Sequence, residues 1–173
     1  METKDAIQTR RSVRRFTEET LEQQAVDQLL DAARWAPSGG NAQTWRFIVV
    51  RDRARIRQLR VVSPGLPGPP PCVLVICQDM DEAGDRGARL GIDRLVLFDA
   101  AMAAQNVLLA AHDLGLGSCV VASFHKNAVQ QLLDMPEYVE PMLLIALGWP
   151  DELPVPPRRR EEVVFRERYN IPY

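Results

Sequence analysis

The order of apolar and polar positions along the chain predicts two helices first, and then strands that alternate with helices. Apolar residues recur at helical spacing through residues 21–33, whereas continuous apolar runs at 73–77 and 142–147 are typical of buried strands. In chain order we predict helix 3–9, helix 21–36, strand 45–50, helix 52–59, strand 73–77, helix 95–114, strand 118–122, helix 127–133 and strand 142–147. This order favours α+β or three-layer α/β architecture over a helical bundle.

Local signals predict where the first two helices begin and end. We expect Thr3 to cap the first helix, and Thr20 with Gln23 to form a capping box at the start of the second. The second helix should stop near Ala36, because the proline that follows disfavours helical geometry in the residue before it.

Composition distinguishes the remaining segments. The charged residues 52–59 predict a short exposed helix, the proline- and glycine-rich residues 61–71 a loop, and the acidic residues 79–91 a mobile segment. Residues 95–114 are apolar on nearly every face, so we expect either the central core helix or a subunit interface. Residues 151–173 predict an extended tail, and residues 1–173 together a single domain.

The overall composition narrows the choice of partners. With 46% hydrophobic residues, 25% charged residues and a formal net charge of −2, no global positive field attracts nucleic acid or an anionic membrane. The first residues lack the apolar core of a signal peptide, and no uninterrupted apolar run reaches membrane-spanning length. Three cysteines in apolar runs, without metal-like spacing, indicate reduced thiols. We therefore expect a cytoplasmic protein that binds neither nucleic acid nor membrane.

A cluster of cations follows the first helix. Arg10, Arg11, Arg14 and Arg15 place four guanidinium groups within six positions, and Ser12 lies between them. Such a cluster repels itself unless solvent or an anion neutralises it, and a planar guanidinium donates two hydrogen bonds at once to a phosphate. Because the chain as a whole is negative, this local cluster suits a small anion better than a polyanion. A solvated basic surface is the alternative interpretation.

A polar, glycine-containing loop at residues 37–44 connects the second helix to the first strand. Its Ser, Asn, Gln and Thr side chains can donate and accept hydrogen bonds, as a heterocyclic ligand requires. A plain helix-to-strand connection is the alternative. A phosphate at the arginine cluster and a heterocycle at this loop would together describe a nucleotide-like cofactor.

Six motifs, in order along nearly the whole chain, resemble the FMN-dependent nitroreductase family. They are RRSVRRF at 10–16, APSGGNAQTW at 36–45, the alanine-rich helix at 95–114, GLGS at 115–118, LGWP at 147–150 and PRRREEVV at 157–164. One such motif would be weak, whereas six at the family's spacing are specific. The resemblance implies an α+β fold of three layers, with a central mixed or antiparallel sheet flanked by helices. It also implies a homodimer that holds two FMN molecules at the subunit interface.

The resemblance further implies which residues hold the phosphate and one edge of the flavin. The phosphate ligands would be Arg10, Arg11 and Ser12, joined by one of Arg158, Arg159 and Arg160. The choice among these three tail arginines stays open. Arg14 would lie near N1 and O2 of the flavin, where a cation stabilises the anionic reduced ring.

Two other segments would surround the flavin ring. Pro37, Ser38 and Gly39 would come from the partner subunit and cover the ring, followed in the same loop by Asn41 and Gln43. Val121, Ala122 and Ser123 would run past the ring with their backbone amides near N5 and O4. Some members of the family carry a glutamate where this chain has Ala122, so no acidic side chain is offered there. The segment that often forms a lid over the flavin must be brief here, within residues 79–92.

The activity implied by the resemblance is that of an NAD(P)H-dependent FMN oxidoreductase. NADH or NADPH would reduce the flavin, and a nitroaromatic, quinone or similar acceptor would reoxidise it in a two-half-reaction (ping-pong) mechanism. The flavin carries this chemistry, so no side chain is predicted to be catalytic, and no metal site is predicted. The alternatives are a specialised flavin reaction, such as dehalogenation or dehydrogenation, and a non-enzymatic dimer that binds or stores FMN.

Aromatic residues near these motifs have simpler expected roles. His112, within the apolar helix, is expected to be a hydrogen-bonded structural residue, whereas a substrate-side role is open for His125. Trp35 and Trp45 are expected to be core or interface anchors rather than groups that stack on a ligand.

Overall fold

The computed structural model describes residues 1–86, 92–160, 163–169 and 171, and it confirms the predicted order of elements. The helices are α1 (Thr3–Thr9), α2 (Gln23–Arg34), α3 (Arg53–Val62), α4 (Met80–Arg86), α5 (Ile92–Asp113) and α6 (Lys126–Leu132). The strands are β1 (Trp45–Val50), β2 (Cys72–Asp79), β3 (Gly117–Val121) and β4 (Val139–Gly148).

The four strands form one sheet in the order β1-β2-β4-β3, and every pair within it is antiparallel. The sheet is therefore antiparallel rather than mixed. The register between β2 and β4 shifts between Ile76 and Cys77, where Cys77 lies opposite Pro141. Proline cannot donate a ladder hydrogen bond, so a bulge is where a central strand tolerates it. The strands β1 and β3 form the two edges of the sheet.

Helices cover both faces of this sheet, which confirms the α+β class and the three layers. Successive side chains of β2 point to opposite faces, so Leu74 and Ile76 join one core cluster while Val73 and Val75 join the other. The first cluster includes residues of α2 and α5, and the second includes residues of α3 and α6. Burial on both faces explains why β2 is apolar along nearly all its length.

The long helix α5 is the central helix of the first core layer. Ala100, Ala103, Val107 and Ala111 are fully buried at helical spacing. By length and composition alone, residues 94–113 could cross a membrane, but these buried residues are part of the core against the sheet. Asp99, Gln105 and Asn106 interrupt this stretch, so it is not an uninterrupted apolar run.

Two expected helix caps are wrong. The residue before α1 is Glu2, and Thr3 is already helical. The residue before α2 is Glu22, so Thr20 forms no capping box there. Leu21 is 1% exposed and its carbonyl accepts a hydrogen bond from Arg51, which keeps this part of the chain extended and delays the helix.

The ends of α2 and the charged segments also differ from expectation. The helix α2 ends at Arg34, short of Ala36, and Trp35 is 80% exposed in the single chain, so it is not a core anchor. The helix α3 is amphipathic rather than exposed throughout, since Ile56 and Leu59 are buried. Residues 80–86, expected to be mobile, form α4, while residues 87–91 of that expectation lie outside the described residues.

Candidate functional site

The arginine segment, residues 10–16, lies along the free edge of the sheet. Ser12 pairs with Ser118 of β3 in a parallel bridge, and the Val13 N–H donates to the Ser118 carbonyl at 2.9 Å. The approach is close because Gly117 has no side chain: a Cβ added there would lie 2.8 Å from Cγ1 of Val13. The edge strand β3 thus supplies the backbone partners that hold the first predicted motif in place.

The other end of the arginine segment is held by the residues that follow β4. Phe16 bridges Pro150, and the Asp151 N–H donates to the Arg15 carbonyl at 3.0 Å. The carboxylate of Glu152 accepts hydrogen bonds from the Arg14 and Arg15 N–H groups, and these donors lower the pKa of that carboxyl. The segment is therefore fixed by its backbone at both ends.

Guanidinium groups gather around β3, and of these Arg15 pairs with the Glu152 carboxylate at 3.4 Å. Burial lowers the pKa of Arg10 most, and the nearby guanidiniums of Arg159 and Arg11 lower it further. Burial raises the pKa of Cys119 in β3, whereas the nearby charges of Arg14 and Arg10 lower it. Within the described residues, the side chains of Arg10, Arg11, Arg14 and Arg159 form no ion pair. A cluster of this kind is a ready site for a multivalent anion.

In the tail, Arg158, Arg159 and Arg160 are all exposed, and the charge of Arg159 helps to lower the pKa of Arg10. His112 also lies near Arg10 and Arg11, and its Nε2 is 2.7 Å from Thr9 Oγ1. Burial first, and then the charges of Arg10 and Arg11, lower the pKa of His112. This ring is thus a hydrogen-bonded structural group, as expected from the sequence.

The far end of β3 carries the second predicted group. Val121 is buried, whereas Ala122 and Ser123 are exposed. The Ser123 carbonyl accepts a hydrogen bond from the Gly65 N–H at 3.2 Å, and a Cβ added at Gly65 would lie 2.9 Å from Cγ1 of Val121. From the arginine segment to Ser123 the strand covers about 17 Å at about 3.3 Å per residue. An elongated ligand with one anionic end could lie along this edge.

The predicted polar loop lies at the opposite edge of the sheet, before β1. The Gln43 N–H donates to Ser38 Oγ at 3.1 Å, and the Gln43 side chain donates to Asn41 Oδ1 at 2.9 Å. Gly39 donates its N–H to the buried carboxylate of Asp99 at 3.0 Å. A concavity of about 920 Å³ adjoins the loop, within the volume range of small-molecule sites. Its lining includes Trp35, Pro37, Asn41, Gln43 and Trp45.

One chain does not bring all the predicted residues together. The arginine segment, Arg159 and residues 121–123 share the β3 edge, whereas residues 37–43 share the β1 edge, and two strands lie between the edges. Adjacent strands are about 4.8 Å apart, so the two edges are separated by about 14 Å. Within one chain the arginine segment and the polar loop therefore do not adjoin each other.

Sequence reasoning missed the residues that support the polar loop. Asp99 is 3% exposed on α5, sixty positions after Gly39, and nothing in the local sequence distinguishes it from other acidic residues. Arg46 pairs with Asp79 at 2.9 Å and with Glu82 at 2.6 Å, which joins β1 to the start of α4. Only the pairing of strands brings such distant positions together.

Among the described residues, the cysteines are poor candidates for a reactive centre. Burial raises the pKa of Cys72 to about 11 and that of Cys77 to about 12, so both thiols are protonated at neutral pH. All three cysteines are free, as expected. No group of three or more His, Cys, Asp or Glu residues within the described parts of the chain could hold a metal ion. The site suits a bound cofactor that brings its own chemistry.

The family model for the nitroreductase family matches residues 7–63 and 61–149. The chain belongs to the nitroreductase family. The matched residues include the arginine segment, the polar loop and β3, whereas the tail beyond residue 149 lies outside the match. The membership inferred from the six motifs is thereby confirmed.

Individual relatives within the nitroreductase family agree with this assignment. The chain is 30% identical over 188 residues to an FMN reductase (NADPH) of Bacillus subtilis, covering 96% of this chain and 74% of that protein. It is 30% identical over 189 residues to an NADH dehydrogenase of Thermus thermophilus, covering 92% of each. A solved nitroreductase structure from Bacillus subtilis superposes with a TM-score of 0.84 at 28% identity, covering 96% of this chain and 74% of that one.

Proposed function

We propose that this member of the nitroreductase family is an NAD(P)H-dependent FMN oxidoreductase. The observation that carries the proposal is the arginine segment held along β3 by the Ser12–Ser118 bridge, in which Arg10, Arg11 and Arg14 form no ion pair within the described residues while Arg15 pairs with Glu152. Relatives named FMN reductase (NADPH) and NADH dehydrogenase support both the cofactor and the two possible electron donors. Residues 1–173 form one domain in this proposal. The tail belongs to it because the charge of Arg159 lowers the pKa of Arg10.

The phosphate of FMN fits the arginine segment. Arg10, Arg11 and Ser12 hold it, and Arg159 adds a fourth donor from the tail; Arg158 and Arg160 remain outside this set. The guanidiniums repel one another in the free protein, so a dianion among them both relieves the repulsion and accepts paired hydrogen bonds. Backbone pairing of Ser12 with Ser118 holds these donors in position before the ligand arrives.

The flavin ring fits the remainder of the β3 edge. Arg14 would hold the pyrimidine edge, where its charge would favour the reduced form, and the backbone of Val121, Ala122 and Ser123 would support the ring. When bound, FMN supplies the redox chemistry, taking hydride from NADH or NADPH and passing electrons to a nitroaromatic, quinone or similar acceptor. The protein contributes binding, orientation and a fixed positive charge. The two half-reactions share one site, so donor and acceptor bind in turn.

A second copy of the chain completes the site in this proposal. Pro37, Ser38, Gly39, Asn41 and Gln43 lie at the opposite sheet edge from the arginine segment, so they serve the partner's flavin. Beside this loop α5 exposes large apolar side chains: Leu97 is 54% exposed and Phe98 is 61% exposed. Asp99, the next residue, is bonded to Gly39 of the loop. An exposed apolar surface next to the loop suits a homodimer interface in the cytoplasm.

The cofactor and the donor are tested together by spectroscopy. Purified protein saturated with FMN should show flavin absorption at about one FMN per chain, and anaerobic NADH or NADPH should bleach it. Reoxidation by a quinone or nitroaromatic then completes the cycle. Intact holoprotein that neither donor can bleach would contradict the oxidoreductase function and favour FMN storage.

The assignment of individual arginines is tested by substitution. Arg10→Ala and Arg159→Ala should each weaken FMN retention about tenfold, as expected for loss of a charge-assisted hydrogen bond. Arg14→Ala should in addition lower the reduction potential of the bound flavin. Arg158→Ala is the matched control and should leave both quantities unchanged. Equal losses for Arg158→Ala and Arg159→Ala would refute the specific role of Arg159.

The dimer is tested at the exposed apolar surface of α5. Phe98→Glu should shift the protein from dimer to monomer in sedimentation experiments and release FMN, because a buried unpaired carboxylate strongly disfavours the interface. Val61→Glu, on exposed α3, is the control of equal chemistry, since Val61 is 83% exposed. A monomeric wild-type protein that still retains FMN would rule out the shared site.

A further inference from the structure

A second group of arginines surrounds a small cavity on the other side of the sheet. The cavity, here called the α3 pocket, has a volume of about 250 Å³ and is bounded by α3, Glu18 and the proline run 69–71. Its cationic residues are Arg53, Arg57 and Arg60. None of the residues proposed to hold FMN lines it.

The spacing of these arginines on α3 explains their convergence. Positions 53, 57 and 60 are separated by four and then three residues, so they lie on one side of the helix. Ile56 is 1% exposed and anchors that part of the helix to the second core cluster. The three guanidiniums are thus kept on the same side, because rotation of α3 about its axis would expose the apolar side chain of Ile56.

The charges in the α3 pocket are only partly compensated. Arg53 pairs with Glu18 at 3.6 Å, and both side chains are exposed. The side chains of Arg57 and Arg60 form no ion pair within the described residues. By contrast, Arg55 on the same helix pairs with Asp134 at 3.8 Å and donates to the Leu132 carbonyl at 2.9 Å. The uncompensated positive charge is therefore confined to the pocket side of α3.

The opposite wall gives the pocket a fixed shape. Prolines lack a backbone N–H and have a restricted φ, so residues 69–71 form a stiff wall that donates no hydrogen bond. Pro71 is anchored from behind, since it packs so closely on Gly148 that an added Cβ would lie 2.6 Å from Pro71 Cδ. Every side-chain donor on the pocket lining is thus a guanidinium of α3.

We propose that the α3 pocket binds a small multivalent oxyanion, either a phosphate compound or a polycarboxylate. Two guanidiniums without counter-charges, and a third that pairs with the exposed Glu18 carboxylate and donates to the Glu18 carbonyl at 3.2 Å, match two or more anionic oxygen groups. The volume of about 250 Å³ lies below the range of pockets for drug-sized ligands and suits a small anion. Glu18 competes with the anion for Arg53.

The test is titration calorimetry on FMN-saturated protein, so that the arginine segment is already occupied. Pyrophosphate and citrate are titrated separately at constant ionic strength, with sodium chloride as the reference salt. Either anion should bind at one site per chain, and the tighter of the two identifies phosphate or carboxylate as the preferred chemistry. Arg57→Gln and Arg60→Gln should each weaken binding about tenfold.

Two variants separate this site from general surface charge. Glu18→Gln should tighten binding, because it releases Arg53, whereas Arg55→Gln on the same helix should leave the affinity unchanged. Thermal unfolding of each variant without the anion checks that it is folded. Absence of saturable binding by both anions would overturn the proposal, and so would an equal loss of affinity in Arg55→Gln and Arg57→Gln.

Discussion

Substitution of Gly117 by alanine directly tests how the arginine segment is positioned. The added Cβ would lie 2.8 Å from Cγ1 and 2.9 Å from Cβ of Val13. Carbon atoms in favourable contact are about 3.5–4.0 Å apart, so one partner must move by about 1 Å. Val13 is 6% exposed and its N–H is bonded to the Ser118 carbonyl, so movement of Val13 strains the attachment of the whole segment.

The expected cost follows from overpacking. A methyl group forced into a tight contact costs about 1–3 kcal/mol of unfolding free energy. For a domain of this size, about 1 kcal/mol lowers the melting temperature by about 2–4 °C, so Gly117→Ala should lower it by about 2–12 °C. The displaced arginines should also retain FMN less well. Circular dichroism melts and the flavin content after gel filtration measure the two effects.

A control and a rescue decide whether the contact is the cause. Gly84 in α4 has nothing within 4 Å of an added Cβ, so Gly84→Ala should be neutral or stabilising, by up to about 1 kcal/mol. Val13→Ala removes the two γ carbons that Gly117→Ala would meet and keeps the Cβ at 2.9 Å, so the double variant should show a partial rescue and cost less than the sum of the two single variants. Strict additivity, or an effect of Gly117→Ala no larger than that of Gly84→Ala, would refute the reasoning.

Two further predictions concern buried and bonded carboxylates. Asp99→Ala should destabilise the protein by about 1–3 kcal/mol in urea unfolding, because the Gly39 N–H loses its acceptor, while Asp99→Asn, which keeps an oxygen, should cost less. Glu152 has a folded pKa below its ordinary value of 4.5, so it contributes stability that is present above pH 4.5 and lost as the pH falls through the folded value. The stability advantage of wild type over Glu152→Gln should therefore be constant near neutrality and narrow below about pH 4.5.

Each of these predictions has a clear contrary result. Equal destabilisation by Asp99→Ala and Asp99→Asn would show that the hydrogen bond to Gly39 is not the source of the cost. A stability difference between wild type and Glu152→Gln that stays the same from pH 7 to pH 3.5 would show that the backbone N–H groups of the arginine segment do not hold the ionised carboxylate.

The cofactor motifs and the buried strands could be read from the sequence because their signals are local. The apolar run of β2 predicts burial on both faces, and the alanine-rich run of α5 predicts either a core helix or a subunit interface. The arginine segment carries its chemistry within seven consecutive residues. In these cases one stretch of chain contains both the pattern and its physical cause.

The boundaries that were wrong depended on contacts with distant residues. The start of α2 is delayed because Leu21 is buried and its carbonyl is bonded to Arg51, thirty positions later. The helix α4 follows β2 where the Asp79 carboxylate accepts from the Glu82 N–H and Arg46 pairs with both acids. The composition of residues 79–91 by itself indicates a mobile segment, because Arg46, which pairs with Asp79 and Glu82, lies outside that stretch.

Residue order by itself determined the family, the succession of elements and the cationic character of the first motif, since each rests on neighbouring side chains. Tertiary structure alone decided that the charge of Arg159 lies near enough to Arg10 to lower its pKa, and that the polar loop and the arginine segment lie at opposite edges of the sheet. Strand order sets those positions, and it results from long-range hydrogen bonding and the burial of two core faces rather than from any local pattern.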